Sequence, residues 1–193
     1  MIPRINLAVW LCMAVILFSS AVPVRAESYR AYAETLLQGL PDGARYRPDL
    51  EAVLDNLANA YRGSKKTAAL QSSDLFNTMA RAHAADMLLN DFVGHRSSTG
   101  HDFAMRIEVM KPKGLVFRSI AENAARDRQK GAADEAKARR LFQQWMDSRP
   151  HRKALLNRSY AYVSSGVVQR GNVLSAVQIF WGEPRKQDGI FFE

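Results

Sequence analysis

The chain contains a single cysteine, Cys12, among its 193 residues. One thiol cannot form an internal disulfide, and it supplies too few ligands for a cysteine-based zinc site. The sequence also has no His-Glu-x-x-His pair and no Gly-x-Ser-x-Gly turn. A disulfide-stapled fold is therefore excluded, and the usual signatures of zinc peptidases, serine hydrolases and thiol enzymes are absent.

The longest apolar stretch near the N-terminus is also short. Residues 7–18 form an unbroken run of 12 apolar residues, whereas a membrane-spanning helix needs about 20. Arg4 precedes this run, and Val24-Arg25-Ala26 follows it with residues suited to cleavage after Ala26. We predict a signal peptide at residues 1–26 and an exported protein, periplasmic or secreted; an uncleaved anchor is the alternative.

The chain has fewer acidic than basic residues. The chain has 27 Lys and Arg against 19 Asp and Glu, a formal net charge of +8. A basic exported protein can associate with anionic envelope polymers or lipid headgroups, although a solvated basic surface is the simpler interpretation. No long basic run or base-stacking motif supports a nucleic-acid partner. After cleavage of the signal peptide, no membrane-spanning segment is expected.

Apolar residues recur with helical spacing through the first two thirds of the chain. This spacing predicts helices at residues 28–40, 49–61, 74–90, 103–110 and 133–147, followed by a helical turn at 151–156. Nothing in the sequence indicates an internal repeat or a second domain.

The pattern changes to β-rich runs near the C-terminus. Residues 163–169 and 173–180 are typical of a hairpin closed by Arg170-Gly171-Asn172, and residues 115–120 alternate like a strand. Helices followed by strands favour an α+β fold with helices packed on a small antiparallel sheet. We divide the chain into the signal peptide, an N-terminal helical extension at 27–46, a main domain at 47–185 and a tail at 186–193.

Three short segments concentrate the residues that could carry chemistry. They are Phe92-Val93-Gly94-His95-Arg96-Ser97, Ile120-Ala121-Glu122-Asn123-Ala124-Ala125, and the stretch from Trp145 through His151-Arg152 to Leu155-Leu156. Together with residues 80–87, Arg106-Ile107 and residues 165–168, their order and spacing resemble the CAP superfamily in its bacterial SCP-like form. This superfamily comprises cysteine-rich secretory, antigen 5 and pathogenesis-related proteins. The resemblance covers residues 47–184.

The resemblance implies a three-layer α–β–α sandwich with a cleft lined by two histidines and two glutamates. By position, it assigns His95 as the first histidine, Glu122 as the first glutamate and His151 as the second histidine. The position of the second glutamate is occupied by Ser148, so the tetrad is incomplete in this chain. Asn123 and Ser148 complete the set of expected ligand-binding residues.

Two imidazoles and a carboxylate allow three kinds of site. His95, Glu122 and His151 could hold a divalent ion such as Zn²⁺ with an open water position, as in a metal hydrolase. A carboxylate beside an imidazole could instead act as a general base without a metal. Glu122 could also accept hydrogen bonds from both imidazoles and pin the loops to the sheet. Metal binding, catalysis and structure therefore all remain open for these three residues.

Neighbouring polar residues have simpler interpretations. His83 is expected to pack within its helix, and His101 to lie at the surface of a loop. Asn123 is expected to bond to the backbone in a turn after Glu122.

From the signal-peptide pattern and the resemblance, we expect an exported, non-enzymatic binding or interaction module. Its cleft would hold a divalent metal and a lipid or peptide ligand. One alternative is a metal-assisted, peptidase-like hydrolase acting on envelope or host substrates. Another is an envelope or host-interaction factor that acts through its surface rather than its cleft. Fold-level similarity alone is a weak basis for choosing among them.

Overall fold

The computed structural model describes residues 29–186, so the predicted signal peptide and residues 187–193 of the predicted tail lie outside it. The helices are α1 (Tyr29–Gln38), α2 (Pro48–Ser64), α3 (Asn77–Leu89), α4 (Phe103–Met110), α5 (Glu135–Asp147) and α6 (Arg149–Leu155). The strands are β1 (Ala44–Tyr46), β2 (Gln71–Ser72), β3 (Leu115–Phe117), β4 (Ile120–Asp127), β5 (Tyr162–Arg170), β6 (Val173–Trp181) and β7 (Pro184–Lys186). None of the helices within residues 29–186 is both long and apolar enough to cross a membrane.

A β-hairpin forms the centre of the main sheet. β5 and β6 pair antiparallel from Tyr162↔Trp181 to Arg170↔Val173, and Gly171 occupies the left-handed region at the turn with φ 56°. β4 pairs with β6 and β1 pairs with β5, which gives the order β1-β5-β6-β4. The short β2 joins β5 in the parallel direction, and β3 and β7 form a separate two-stranded sheet. The hairpin predicted from the sequence is confirmed.

The strands of the hairpin bury both of their faces. Because strand side chains alternate in direction, one set of apolar residues faces α2, α5 and α6, and the other faces α1, α3 and α4. The first cluster includes Val163, Val167, Ala176 and Phe180, and the second includes Val168, Val177, Ile179 and Trp181. Helices therefore cover both faces of the sheet, and the predicted α+β class with an α–β–α sandwich is confirmed.

On the sheet face that packs against α1, α3 and α4, the backbones of α3 and β5 approach each other closely. A Cβ atom on Gly166 would lie 2.2 Å from the backbone nitrogen of Arg81 and 2.3 Å from the carbonyl carbon of Ala80. Only glycine leaves room for the helix backbone at this point. The small buried residues Ala80, Ala84 and Ala85 likewise bring α3 close to the sheet.

The N-terminal segment at 29–46 packs against the same body. Tyr29, Ala33 and Leu36 of α1 are buried in the cluster that contains α3. β1 then adds to the sheet edge by pairing with β5 from Ala44↔Arg170 to Tyr46↔Val168.

The main departure from the sequence prediction is β4. The strand predicted at 115–120 is two elements, since β3 ends at Phe117 and β4 begins at Ile120. Glu122 and Asn123 lie inside this eight-residue strand, so the predicted turn after Glu122 is wrong. β4 is rich in alanine, which has low β-propensity. Helices pack closely on both faces of this strand, and the small alanine side chains allow that packing. The helix predicted at 74–90 is also divided, because Asp74–Phe76 is a 3₁₀ turn that precedes α3.

The position of β4 at the sheet edge organises the candidate site. Successive residues of the strand point to opposite faces. Glu122 therefore lies on the face covered by α3 and α4, and Asn123 lies on the face covered by α5 and α6.

Candidate functional site

Glu122 is a buried carboxylate at the centre of the site. Its side chain is only 1% exposed, and both of its oxygens accept hydrogen bonds. An ionised carboxylate is costly to bury unless it is paired and hydrogen-bonded. The partners of Glu122 therefore decide what the site can do.

The main partner is Arg106, whose side chain is fully buried. Its terminal nitrogen donates to Oε1 of Glu122 at 2.8 Å and to Oε2 at 3.0 Å. Burial by itself would lower the pKa of Arg106 and raise that of Glu122. Their mutual attraction outweighs burial, so the pKa of Arg106 is raised and that of Glu122 is lowered, with His95 and His83 adding to the second effect. The two side chains form a buried, ionised pair.

α4 carries Arg106 into this position. Asp102 caps the helix by accepting a hydrogen bond from the backbone N–H of Met105 at 2.9 Å, as its residue type favours. The guanidinium lies over the rings of Phe103 and Tyr29, 5.5 and 5.9 Å from their centroids. It also donates to the backbone carbonyl of His95 at 3.0 Å, which ties the His95 loop to the buried pair.

His95 is the exposed member of the network. Its Nδ1 lies 2.9 Å from Oε1 of Glu122, and 52% of its side chain is exposed. Since a carboxylate accepts, Nδ1 carries the proton and Nε2 is the outer nitrogen. The hydrogen bond to Glu122 raises the pKa of His95 above its usual value of 6.5.

The loop that holds His95 is fixed from the α3 side. The buried His83 has its Nε2 2.8 Å from the carbonyl oxygen of Gly94, and the same atom is 3.9 Å from Oε1 of Glu122. Burial lowers the pKa of His83, so it donates from Nε2 as a neutral ring. The buried Asp86 accepts from the backbone N–H of Ser98 at 2.9 Å. The loop therefore approaches the site in a defined conformation.

His151 approaches from the opposite face of the sheet. It lies in α6 and is half-buried, and Asn123 donates to its backbone carbonyl at 3.3 Å. Burial lowers the pKa of His151, and the charge of His95 lowers it further. Ser148 lies at the junction of α5 and α6 and is half-buried, and its side chain does not cap α6.

Two contacts of Glu122 bear on the predicted three-ligand metal set. A metal bound to Glu122 would compete with hydrogen bonds from Arg106 and His95, and the buried guanidinium would oppose a second cation. Across residues 29–186, no group of three or more His, Cys, Asp and Glu side chains is arranged to hold a metal ion. The assignment of His95, Glu122 and His151 as joint ligands therefore stays a prediction.

Sequence reasoning identified His95, Glu122, His151 and Asn123 but gave no role to Arg106. The buried partner of a carboxylate can be any basic residue in the chain, and only the fold selects one. His83 does pack within its helix as expected, yet it also contacts the site. His101 is half-buried rather than at the surface, with its ring 5.7 Å from that of Tyr29.

Comparison with known proteins identifies relatives with the same domain. Over 117 residues the chain is 30% identical to the uncharacterized protein YkwD of Bacillus subtilis; the match covers 61% of this chain and 42% of that protein. The chain thus spans less than half the length of this relative.

Two solved structures share the fold at low sequence identity. One is an extracellular protein from Bacillus anthracis that contains an SCP domain, with TM-score 0.57 and 23% identity over 70% of this chain and 41% of that one. The other is an outer surface protein of Borrelia burgdorferi, with TM-score 0.60 and 16% identity over 72% of this chain and 98% of that one. They support the α–β–α sandwich.

The family model of the cysteine-rich secretory proteins, CAP, matches residues 56–181. This range runs from α2 to the end of β6 and includes His95, Arg106, Glu122 and His151. The chain belongs to the CAP family.

Proposed function

We propose that the protein is an exported, non-enzymatic binding module whose ligand contacts His95 and His151. The observation that carries this proposal is the full engagement of Glu122 by Arg106 and His95. A general base needs a carboxylate oxygen that can take a proton from the substrate. The lowered pKa and the burial of Glu122 both oppose that role. Glu122 then holds His95 in place rather than reacting.

Export is supported by two observations. Residues 1–26 have the pattern of a signal peptide. Two of the proteins with a similar fold are an extracellular protein and an outer surface protein by name.

The two imidazoles offer complementary groups to a ligand. The ring of His95, whose pKa is raised by Glu122, can donate from Nε2 when it is protonated. His151 has a lowered pKa and stays neutral near pH 7. Its buried Nδ1 and the buried Oδ1 of Asn123 each lack a hydrogen-bond partner in the described part of the chain. A neutral imidazole carries one proton, so Nε2 of His151 can accept a hydrogen bond when that proton is on Nδ1. A donor beside an acceptor suits the C=O and N–H of a peptide main chain.

A groove with several apolar lining residues supports a ligand with an apolar group. A cavity of about 360 Å³ lies between α4 and β3, with Ile107, Val116, Phe117 and Ile120 among its lining residues. Ile107 follows Arg106 in α4, and Ile120 lies on the same face of β4 as Glu122. This volume is within the range of small-ligand sites. We assign the groove to an apolar side chain of the bound peptide.

The test is an NMR titration of the histidine rings with acetyl-alanyl-leucyl-alaninamide, beside a parallel titration with decanoate. The peptide is expected to shift Nε2 of both His95 and His151 saturably and to be recovered intact by mass spectrometry. Val116→Asp places a charge in the groove and is expected to weaken binding about tenfold or more. The exposed Glu135→Gln is the control and should leave binding unchanged.

Three results would overturn the proposal. Peptide cleavage that His95→Ala abolishes would make the protein a hydrolase. Saturation by decanoate alone would replace the peptide with a fatty-acid ligand. Binding of neither probe by a folded protein would remove the cleft from the function and favour action through another surface.

A further inference from the structure

A cluster of three arginines surrounds a second cavity, far along β4 from Ile120. Arg126, Arg128 and Arg170 line a cavity of about 200 Å³ together with Asp91, Leu88 and Val173. We call this site the arginine pocket. Arg126 lies near the end of β4, and Arg128 directly follows that strand. Arg170 is the last residue of β5, where the hairpin turns.

The guanidinium groups are held in different ways. Arg126 is only 10% exposed, and it donates to the carbonyl of Met87 at 3.2 Å and to Oδ1 of Asp91 at 3.0 Å. Arg128 is 52% exposed and pairs with the same oxygen of Asp91. Arg170 is exposed, and its side chain makes no ion pair or hydrogen bond within residues 29–186.

One role of the pocket is structural, because Arg126 satisfies a carbonyl in the last turn of α3. That role requires one arginine. Arg128 and Arg170 do not contact the helix end through any hydrogen bond in the described structure.

The charges in the pocket are unbalanced. Three guanidinium groups face a single carboxylate, and Asp91 is itself 72% exposed. Burial lowers the pKa of Arg126, which disfavours its charged form. An additional anion beside the three guanidinium groups would stabilise their charged forms.

We propose that the arginine pocket binds a phosphate ester group. Guanidinium groups present paired N–H donors that match the oxygens of a phosphate. Leu88 and Val173 provide an apolar lining for the carbon atoms attached to the phosphate. The cavity admits one such group, and its open side leaves room for the rest of a phosphodiester polymer or a lipid headgroup. This site is independent of the His95 cleft.

The experiment measures calorimetric binding of three probes at low ionic strength: inorganic phosphate, polyphosphate, and vesicles that contain phosphatidylglycerol. The test variant is Arg128→Gln with Arg170→Gln, which spares Arg126 and its contact with α3. The matched control is Arg118→Gln with Arg158→Gln, which removes two exposed arginines near the start of β4. Thermal unfolding of each variant verifies that it folds.

We expect saturable phosphate binding with a Kd on the order of 1 mM or tighter, weakened about tenfold or more in the test variant and less than about twofold in the control. Polyphosphate should bind more tightly through the same arginines, with affinity falling as salt rises. Asp91→Asn should strengthen binding, because it removes the competing carboxylate; asparagine tolerates the left-handed φ of 59° at this position.

The vesicle arm separates the possible sources of the phosphate. Vesicle binding with the same dependence on Arg128 and Arg170 would indicate a lipid headgroup, whereas binding of only the soluble probes would indicate a soluble phosphate ester or polymer. The proposal is overturned if the wild type does not bind phosphate, if both double variants lose equal affinity, or if vesicles bind while both soluble probes do not.

Discussion

At the scale of single residues, the ion pair between Arg106 and Glu122 governs the site. Both side chains are buried, and each is the principal charge partner of the other. Replacing Arg106 by methionine preserves much of the apolar volume but leaves Glu122 without its counter-charge. We expect the free energy of unfolding to fall by about 3–5 kcal/mol. Urea unfolding measures this loss.

The same measurement on double variants isolates the pair. Arg106→Met with Glu122→Gln should be less destabilised than the sum of the two single changes, because no buried charge is left alone. Arg139→Ala removes the exposed pair with Glu135 and should cost only about 0–0.5 kcal/mol. Additive effects of Arg106→Met and Glu122→Gln would contradict a coupled pair.

His95 makes a pH-dependent contribution to stability. Its folded-state pKa is raised by Glu122, so the folded protein binds the proton more tightly than the unfolded chain does. The contribution is fully present below the unfolded value of 6.5 and is lost as pH rises through the folded value. The stability difference between the protein and His95→Ala should therefore be larger at pH 5.5 than at pH 8.5.

The effect of His95→Ala at the two pH values is best measured in a His151→Ala background. The charge of His95 lowers the pKa of His151, so removing His95 would otherwise also change the titration of His151. Urea unfolding at the two pH values provides the data. A difference that stays constant or grows with pH would show that Glu122 does not stabilise the protonated ring.

The candidate residues differ in how far the sequence could predict them. His95, Glu122 and His151 lie in short segments whose order resembles a known family, so their positions could be assigned before the fold was known. Arg106 also lies in a segment that carries the resemblance, but its pairing with Glu122 depends on how α4 packs against β4, which no local sequence pattern indicates. The hydrogen bonds from Arg106 limit what Glu122 can do chemically, and only the structure shows them.

At the scale of the elements, the contact between α3 and β5 leaves no room for a side chain at Gly166. Gly166→Ala would place a methyl group about 2.2 Å from the backbone of Arg81, where no side chain can move aside. We expect a loss of at least about 3 kcal/mol or a failure to fold. Thermal unfolding, or the yield of folded protein, measures the effect.

Gly63→Ala is the matched control for this substitution. Gly63 lies near the end of α2, and a Cβ atom there meets nothing within 4 Å. Alanine is the better helix former, so this variant should gain up to about 1 kcal/mol. Comparable stability of Gly166→Ala and the native protein would mean that α3 and β5 are further apart than described.

Elements with strong local signals could be predicted from the sequence, and the others could not. α4 matches its predicted bounds of 103–110, and the β5–β6 hairpin is rich in β-branched residues. β4 carries the site, yet its alanines resemble a helix or a loop more than a strand. β4 is a strand because eight of its residues pair with β6. These two segments are far apart in the chain, so local sequence patterns do not predict the pairing.

At the scale of the whole molecule, the sandwich brings the two histidines to one edge of the sheet from opposite faces. His95 arrives from the layer of α3 and α4, and His151 arrives from the layer of α5 and α6. Neither helical layer alone would bring both histidines to β4. The proposed ligand site therefore depends on both layers packing against β4.

The proposed export makes a prediction about the whole chain. Signal cleavage after Ala26 would give a protein that begins at Glu27, two residues before α1. N-terminal sequencing of the exported protein should find this end. Replacing Ala26 with a bulky residue such as phenylalanine should block cleavage, whereas Ala31→Phe should not affect it. An unprocessed N-terminus in the exported native protein would contradict the prediction.

We infer that Glu122 is an ionised anchor for His95, neither a metal ligand nor a base. Carbon-13 NMR of the Glu122 carboxyl group checks this role, first in a pH titration and then with one equivalent of Zn²⁺. We expect a pKa below the usual 4.5 and no change in the carboxyl signal when Zn²⁺ is added. A pKa above 4.5, or a carboxyl shift that saturates at one equivalent of Zn²⁺, would contradict it.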